Sequence, residues 1–94
     1  MGEAKDTAKM FGVLSDETRL GILELINGRS LCVGALARRL KASDSSVSQH
    51  LRVLRGAGLV VGERKGNRVH YRADAKELGR WRERLERALA PKEE

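Results

Sequence analysis

Residues Leu36 to Val61 read LARRLKASDSSVSQHLRVLRGAGLVV, and the order of residue types along this stretch decides the fold. Val33, Leu36, Ala37 and Leu40 stand at i, i+3, i+4 and i+7, the buried stripe of one helix. Lys41 and Ala42 make a turn, and Ser43 is a good N-cap for the next helix, followed by Asp44 and Ser45 in a turn rich in acceptors. Val47, Leu51 and Leu54 must face the core. Ser45, Ser46, Ser48, Gln49 and Arg52 therefore point away from it. Short polar side chains let a helix approach base edges closely, and Gln and Arg are the side chains that read them. Gly56 to Gly58 ends the helix. The pattern predicts a helix-turn-helix over residues 33–56 whose second helix enters the major groove of DNA.

The charge supports that reading. From Arg38 to Arg72 nine basic residues face two acids, a local net of +7, whereas the whole chain carries only +6. The excess is thus confined to the segment that would meet phosphates, as expected of a duplex binder.

Downstream, Leu59 to Arg64 and Arg68 to Arg72 are β-prone runs flanking Gly66-Asn67, a hairpin with Arg64, Lys65 and Arg68 at its tip. A basic hairpin directly after such a helix predicts a wing over 59–72. The helix expected over 74–90, capped by Asp74, carries the stripe Leu78, Trp81, Leu85 and Leu89 between alternating Arg and Glu. Upstream, helices are expected from Thr7 to Leu14 and, capped by Ser15, through DETRLGILELING, burying Leu20, Leu23 and Ile26 with help from Ile22 and stopping at Gly28. Ser30 to Cys32 reads as an extended link, and the first five residues and Pro91 to Glu94 as frayed ends. The expectation is one mainly α domain over 1–94 with a small β-hairpin, in the order α-α-α-α-β-β-α.

A chain of 94 residues is near the size at which one core barely suffices, and its aromatics are single copies of Phe11, Tyr71 and Trp81. Small domains often complete their burial by pairing with a copy of themselves. Phe11, Leu78, Trp81, Leu85 and Leu89 are the candidate dimer interface. No apolar run reaches the length of a membrane span and no leader pattern is present, which predicts a soluble, cytoplasmic protein without a membrane partner. The single cysteine, Cys32, fits a reducing compartment. An enzyme is not expected: no nucleophile–base pair, phosphate loop or carboxylate pair is in evidence.

The motifs LSDETRLGILELI, LCVGALARRL and SSVSQHLRVLRGAGLV, with the wing ending VHYR, resemble the ArsR/SmtB family of winged helix-turn-helix repressors over nearly the whole chain. The resemblance implies a homodimer that represses its own operon at an imperfect palindrome and is released by an inducer. Family members that sense arsenite or soft metals often carry Cys-Val-Cys at the start of the third helix. Here Cys32 matches the first position but Gly34 replaces the second cysteine. Others bind zinc, cobalt or nickel through Asp and His between the C-terminal helices, a segment that in this chain (74–94) contains no His. No metal and no cofactor is therefore expected, and the inducer is not identified.

Each site residue also has a plainer reading. Ser45, Ser46, Ser48, Gln49 and Arg52 could be a solvated face; the adjacent turn, wing and charge window favour DNA, with Gln49 and Arg52 reading bases and the serines holding phosphates. His50 is open between a phosphate contact and the edge of the core. Arg64, Lys65 and Arg68 either keep the hairpin soluble or reach phosphates and the minor groove. Cys32 is a small buried hydrophobe, a thiol switch, or a ligand completed from the dimer mate. The leading function is a dimeric repressor on an inverted repeat. The alternatives are a redox or reactive-sulfur sensor working through Cys32, and a winged helix used only for protein docking.

Overall fold

The computed structural model describes residues 2–92. Helix α1 covers Gly2–Leu14 and α2 Glu17–Leu25; strand β1 is Leu31–Cys32; helices α3 (Val33–Leu40) and α4 (Asp44–Gly56) form the helix-turn-helix. Strands β2 (Val60–Lys65) and β3 (Arg68–Ala73) and helix α5 (Ala75–Leu89) complete the chain. Among the described residues, no helix is long and apolar enough to cross a membrane.

The elements around the turn follow the sequence closely. Ser43 is the N-cap of α4, its hydroxyl accepting the Ser46 N–H at 3.1 Å. At the other end Gly58 takes φ +81, the left-handed conformation that glycine adopts without strain. The N–H groups of Gly58 and Leu59 then return to the carbonyls of Arg55 (2.9 Å) and Leu54 (3.0 Å). This pair of hydrogen bonds, with buried Leu54 and Leu59 in the same wrap, is a Schellman stop. Asp74 caps α5 by accepting from the Glu77 N–H at 3.1 Å.

Four local expectations change. Helix α1 begins at Gly2 rather than Thr7, because α5 holds its first turns: the Arg84 guanidinium reaches the Glu3 carbonyl (3.4 Å) and the Asp6 carboxylate (3.8 Å). Residues 2–5 are thus helical rather than frayed, while Met1 and residues 93–94 lie outside the described residues. The cap of α2 is Asp16, which accepts from the Arg19 N–H at 3.0 Å; Ser15 instead donates its hydroxyl back to Gly12 at 2.9 Å, closing α1. Helix α2 ends at Leu25, three residues before Gly28, which supplies a left-handed turn at φ +91. Ser30 to Cys32 is more than a link: Leu31 pairs with Tyr71 and Cys32 with His70, so β1 adds a third antiparallel strand in the order β1-β3-β2. The element order is α-α-β-α-α-β-β-α.

Ile22, Ile26, Leu36, Val47, Leu51, Leu54 and Leu59 form the sealed centre where α2, α3 and α4 meet under the sheet. Leu20, expected inside, is 47% exposed: two residues before Ile22, it falls on the flank of the face that Ile22, Leu23 and Ile26 bury. Helix α5 buries no residue fully, yet Leu78 and Trp81 pack half-buried against this core, so part of its stripe is already used within one chain.

Candidate nucleic-acid interface

Burial of Val47, Leu51 and Leu54 turns the opposite face of α4 outward. Ser45, Ser48, Gln49 and Arg52 are exposed along that face; Ser46 is half-buried, its N–H held by the Ser43 cap. The helix is anchored by packing on α2, α3 and β2, so its exposed residues project from a fixed frame. Net positive charge continues from α4 into the wing. Arg52 and Arg55 line a surface groove of about 620 Å³ with Val60, Val61 and Gly62, joining the end of α4 to the start of β2. The Arg55 guanidinium lies 5.9 Å from the centre of the Tyr71 ring, within cation–π range. Arg55 was absent from the candidate residues read from sequence. Its position three residues after Arg52, on the same side of the helix, was the available signal.

The hairpin turns at Gly66 (φ +66) and Asn67, with Lys65 paired to Arg68. Strand alternation splits the wing cations. Arg64 shares a face with Gly62, Val69 and Tyr71; Lys65 and Arg68 share the other with His70 and Cys32. All three are exposed. Lys65 Nζ stands 3.5 Å from Ser30 Oγ, and Arg68 Nη1 stands 3.8 Å from Cys32 Sγ. These contacts bring the wing tip back toward Ser30 and Cys32.

His50 points back into the protein. Its Nδ1 meets Arg19 Nη1 at 3.2 Å and lies 3.7 Å from Asp16 Oδ1, so the ring joins α4 to the start of α2. The side chain is 22% exposed.

Cys32 is half-buried at the N-cap of α3. The Ala35 backbone N–H holds its thiol below the ordinary value of 9.0, against desolvation, with the Arg68 side chain and the Gly34 N–H adding to the effect. A groove of about 540 Å³ beside it is lined by Val33, Gly34, Arg38, Asp44, Arg68 and Tyr71. Among the described residues, no three His, Cys, Asp or Glu are grouped to hold a metal ion.

A helix-turn-helix with an exposed polar second helix, followed by a basic hairpin, defines the winged helix-turn-helix class of proteins. Comparison with known proteins narrows this to one family. The family described as "Bacterial regulatory protein, arsR family" matches residues 16–61. The chain is 43% identical over 65 residues to the arsenical resistance operon repressor of Escherichia coli, covering 68% of this chain and 56% of that protein. It is 38% identical over 87 residues to the HTH-type transcriptional regulator Rv2034 of Mycobacterium tuberculosis, covering 93% and 81% of the two chains. A solved ArsR-like transcriptional regulator from Rhodococcus sp. RHA1 superposes with a TM-score of 0.78 at 35% identity, over 94% of this chain and 83% of that one. The chain belongs to the arsR family of bacterial regulatory proteins. Its relatives are transcriptional regulators, not enzymes.

Proposed function

We propose that this protein is a cytoplasmic transcriptional repressor that binds double-stranded DNA as a homodimer at an inverted repeat. The observation that carries the reading is the exposed row Ser45, Ser48, Gln49 and Arg52 on a helix fixed by its buried face, beside a basic wing. Gln49 and Arg52 read base edges; Ser45, Ser46 and Ser48 hold phosphates, as do Arg64, Lys65 and Arg68 along the adjacent backbone and minor groove. The dimer face is built from α1 and α5. Leu14, Leu78, Trp81, Leu85 and Leu89 line an apolar groove of about 370 Å³, while Leu89 and Phe11 are 73% and 42% exposed in the single chain. Pairing two copies there would present two copies of α4 to successive major grooves about 34 Å apart.

Fluorescence anisotropy on DNA from the gene's own upstream region tests this. Wild-type protein binds the inverted repeat more tightly than random duplex, with an affinity that falls steeply with salt. Gln49→Ala weakens operator binding by about 1–3 kcal/mol and leaves random-duplex binding nearly unchanged. An equal loss on both sequences refutes base reading by Gln49.

Cys32 favours a second reading, release of DNA on thiol oxidation or sulfur modification, because the thiolate is stabilised at the N-terminus of α3 and beside Arg68. A single thiolate does not supply the two or three soft ligands that arsenite or cadmium takes. Cys32→Ser protein that still leaves its operator on oxidation eliminates the thiol reading.

A further inference from the structure

The Arg19 guanidinium ties three helices together. Its Nε donates to the Val13 carbonyl at 2.6 Å and its Nη2 to the Gly12 carbonyl at 3.3 Å, both in the last turn of α1. These are end-of-helix carbonyls; Gly12 also accepts from the Ser15 hydroxyl and N–H. Its Nη1 meets His50 Nδ1 at 3.2 Å, midway along α4, and its backbone N–H is held by Asp16. One side chain of α2 thus bridges the end of α1 to the helix assigned to the major groove. Helix α1 packs on α5 and α2, whereas α4 packs on α2 and α3, so this polar bridge links the two functional faces of the fold.

We propose that Arg19 and His50 are positioning residues for operator binding, fixing the angle between the recognition helix and the dimer-forming helix. The inference rests on the repressor reading above. Neither side chain reads DNA. The bridge holds Gln49 and Arg52 in register with base edges, and recognition geometry tolerates only small rotations of its supporting helix.

Arg19 is always a donor, so the ring meets it as an acceptor through Nδ1. Asp16, the N-cap of α2, places a carboxylate oxygen 3.7 Å from the same nitrogen. The Asp16 carboxyl is held below its ordinary 3.8, chiefly by the Arg19 backbone N–H.

The test uses the full chain and an operator duplex, with anisotropy at a single pH and thermal unfolding as a check on folding. His50→Asn keeps an acceptor near the Nδ1 position and binds within about threefold of wild type. His50→Leu and Arg19→Lys bind about tenfold more weakly at pH 8, the loss of one charge-assisted hydrogen bond, while remaining folded. Wild-type protein that selects the operator while both variants bind equally well overturns the positioning role alone. His50→Asn as weak as His50→Leu means that an acceptor at this position does not restore binding, and overturns it as well. Wild-type protein that does not distinguish operator from random duplex overturns the repressor reading, and this inference with it.

Discussion

Lys41 sits in the turn between α3 and α4 at φ 54, ψ 44, a left-handed conformation that L-residues with a Cβ adopt at a cost of about 1–2 kcal/mol. The turn is held by the Ala42 N–H on the Ala37 carbonyl at 3.0 Å and the Lys41 N–H on the Arg38 carbonyl at 3.4 Å. Both bonds are made by backbone and survive substitution. Lys41→Gly removes the clash between Cβ and carbonyl; the greater freedom of glycine in the unfolded chain offsets part of the gain. The net expectation is about 1 kcal/mol of added stability, or roughly 4–8 °C in Tm for a domain of this size. Lys41→Ala removes the same ammonium group but keeps the Cβ, so it isolates the backbone effect from charge. Urea unfolding followed by circular dichroism should show Lys41→Gly more stable than Lys41→Ala by about 1 kcal/mol, with the same m-value. If Lys41 also meets a phosphate, both variants flatten the salt dependence of DNA binding equally, by about one unit of slope. Equal stability of the two variants refutes the claim that this turn stores backbone strain.

Ser43→Ala deletes the acceptor for the Ser46 N–H at the start of α4 and should cost about 1 kcal/mol in urea unfolding; an unchanged midpoint would mean solvent replaces the cap fully. Leu85→Glu places a charge in the groove that Leu78, Trp81 and Leu89 line. Burying leucine is worth about 1.5–3 kcal/mol and a symmetric dimer buries it twice, so sedimentation should show the dimer dissociation constant raised about 100-fold or more, with helical content retained. An unmoved monomer–dimer equilibrium removes this face as the interface. For Cys32, the folded thiol is depressed, so the stabilisation of its thiolate is complete above 9.0 and is lost as pH falls through the lower folded value. Iodoacetamide alkylation should accordingly show a pH midpoint below 9.0, and a midpoint at or above that value contradicts the role of the Ala35 N–H.

The fold was legible wherever a local device acts alone. The stripes of α3 and α4, the Ser43 and Asp74 caps, and the glycine stop at Gly58 each depend on residues within about one helical turn, and all stand where their spacing put them. Ser15 and Asp16 are both good caps in sequence. Which one opens α2 is decided by Asp16 adopting extended backbone and aiming at the Arg19 N–H. Strand β1 is two residues long, too short for alternation to show, and its existence depends on Tyr71 and His70 in β3. The early start of α1 and the half-burial of Leu78 and Trp81 likewise depend on packing partners distant in the chain.

The same division runs through the candidate site. An outward face of a helix is the complement of its buried stripe, so Ser45, Ser48, Gln49 and Arg52 could be placed by period alone. His50 could not, because its environment comes from Asp16 and from Arg19, 31 residues earlier. Nothing in the local pattern of α2 marks Arg19 as other than a solvated charge in a first turn, a place where the helix dipole disfavours a cation. Its position becomes intelligible only when the carbonyl end of α1 is brought against it, since three acceptors (Val13, Gly12 and His50) then compensate the unfavourable dipole. A cation kept where local electrostatics disfavours it must be held by tertiary partners. Here those partners lie on α1 and α4, the helices proposed above to pair two copies and to enter DNA.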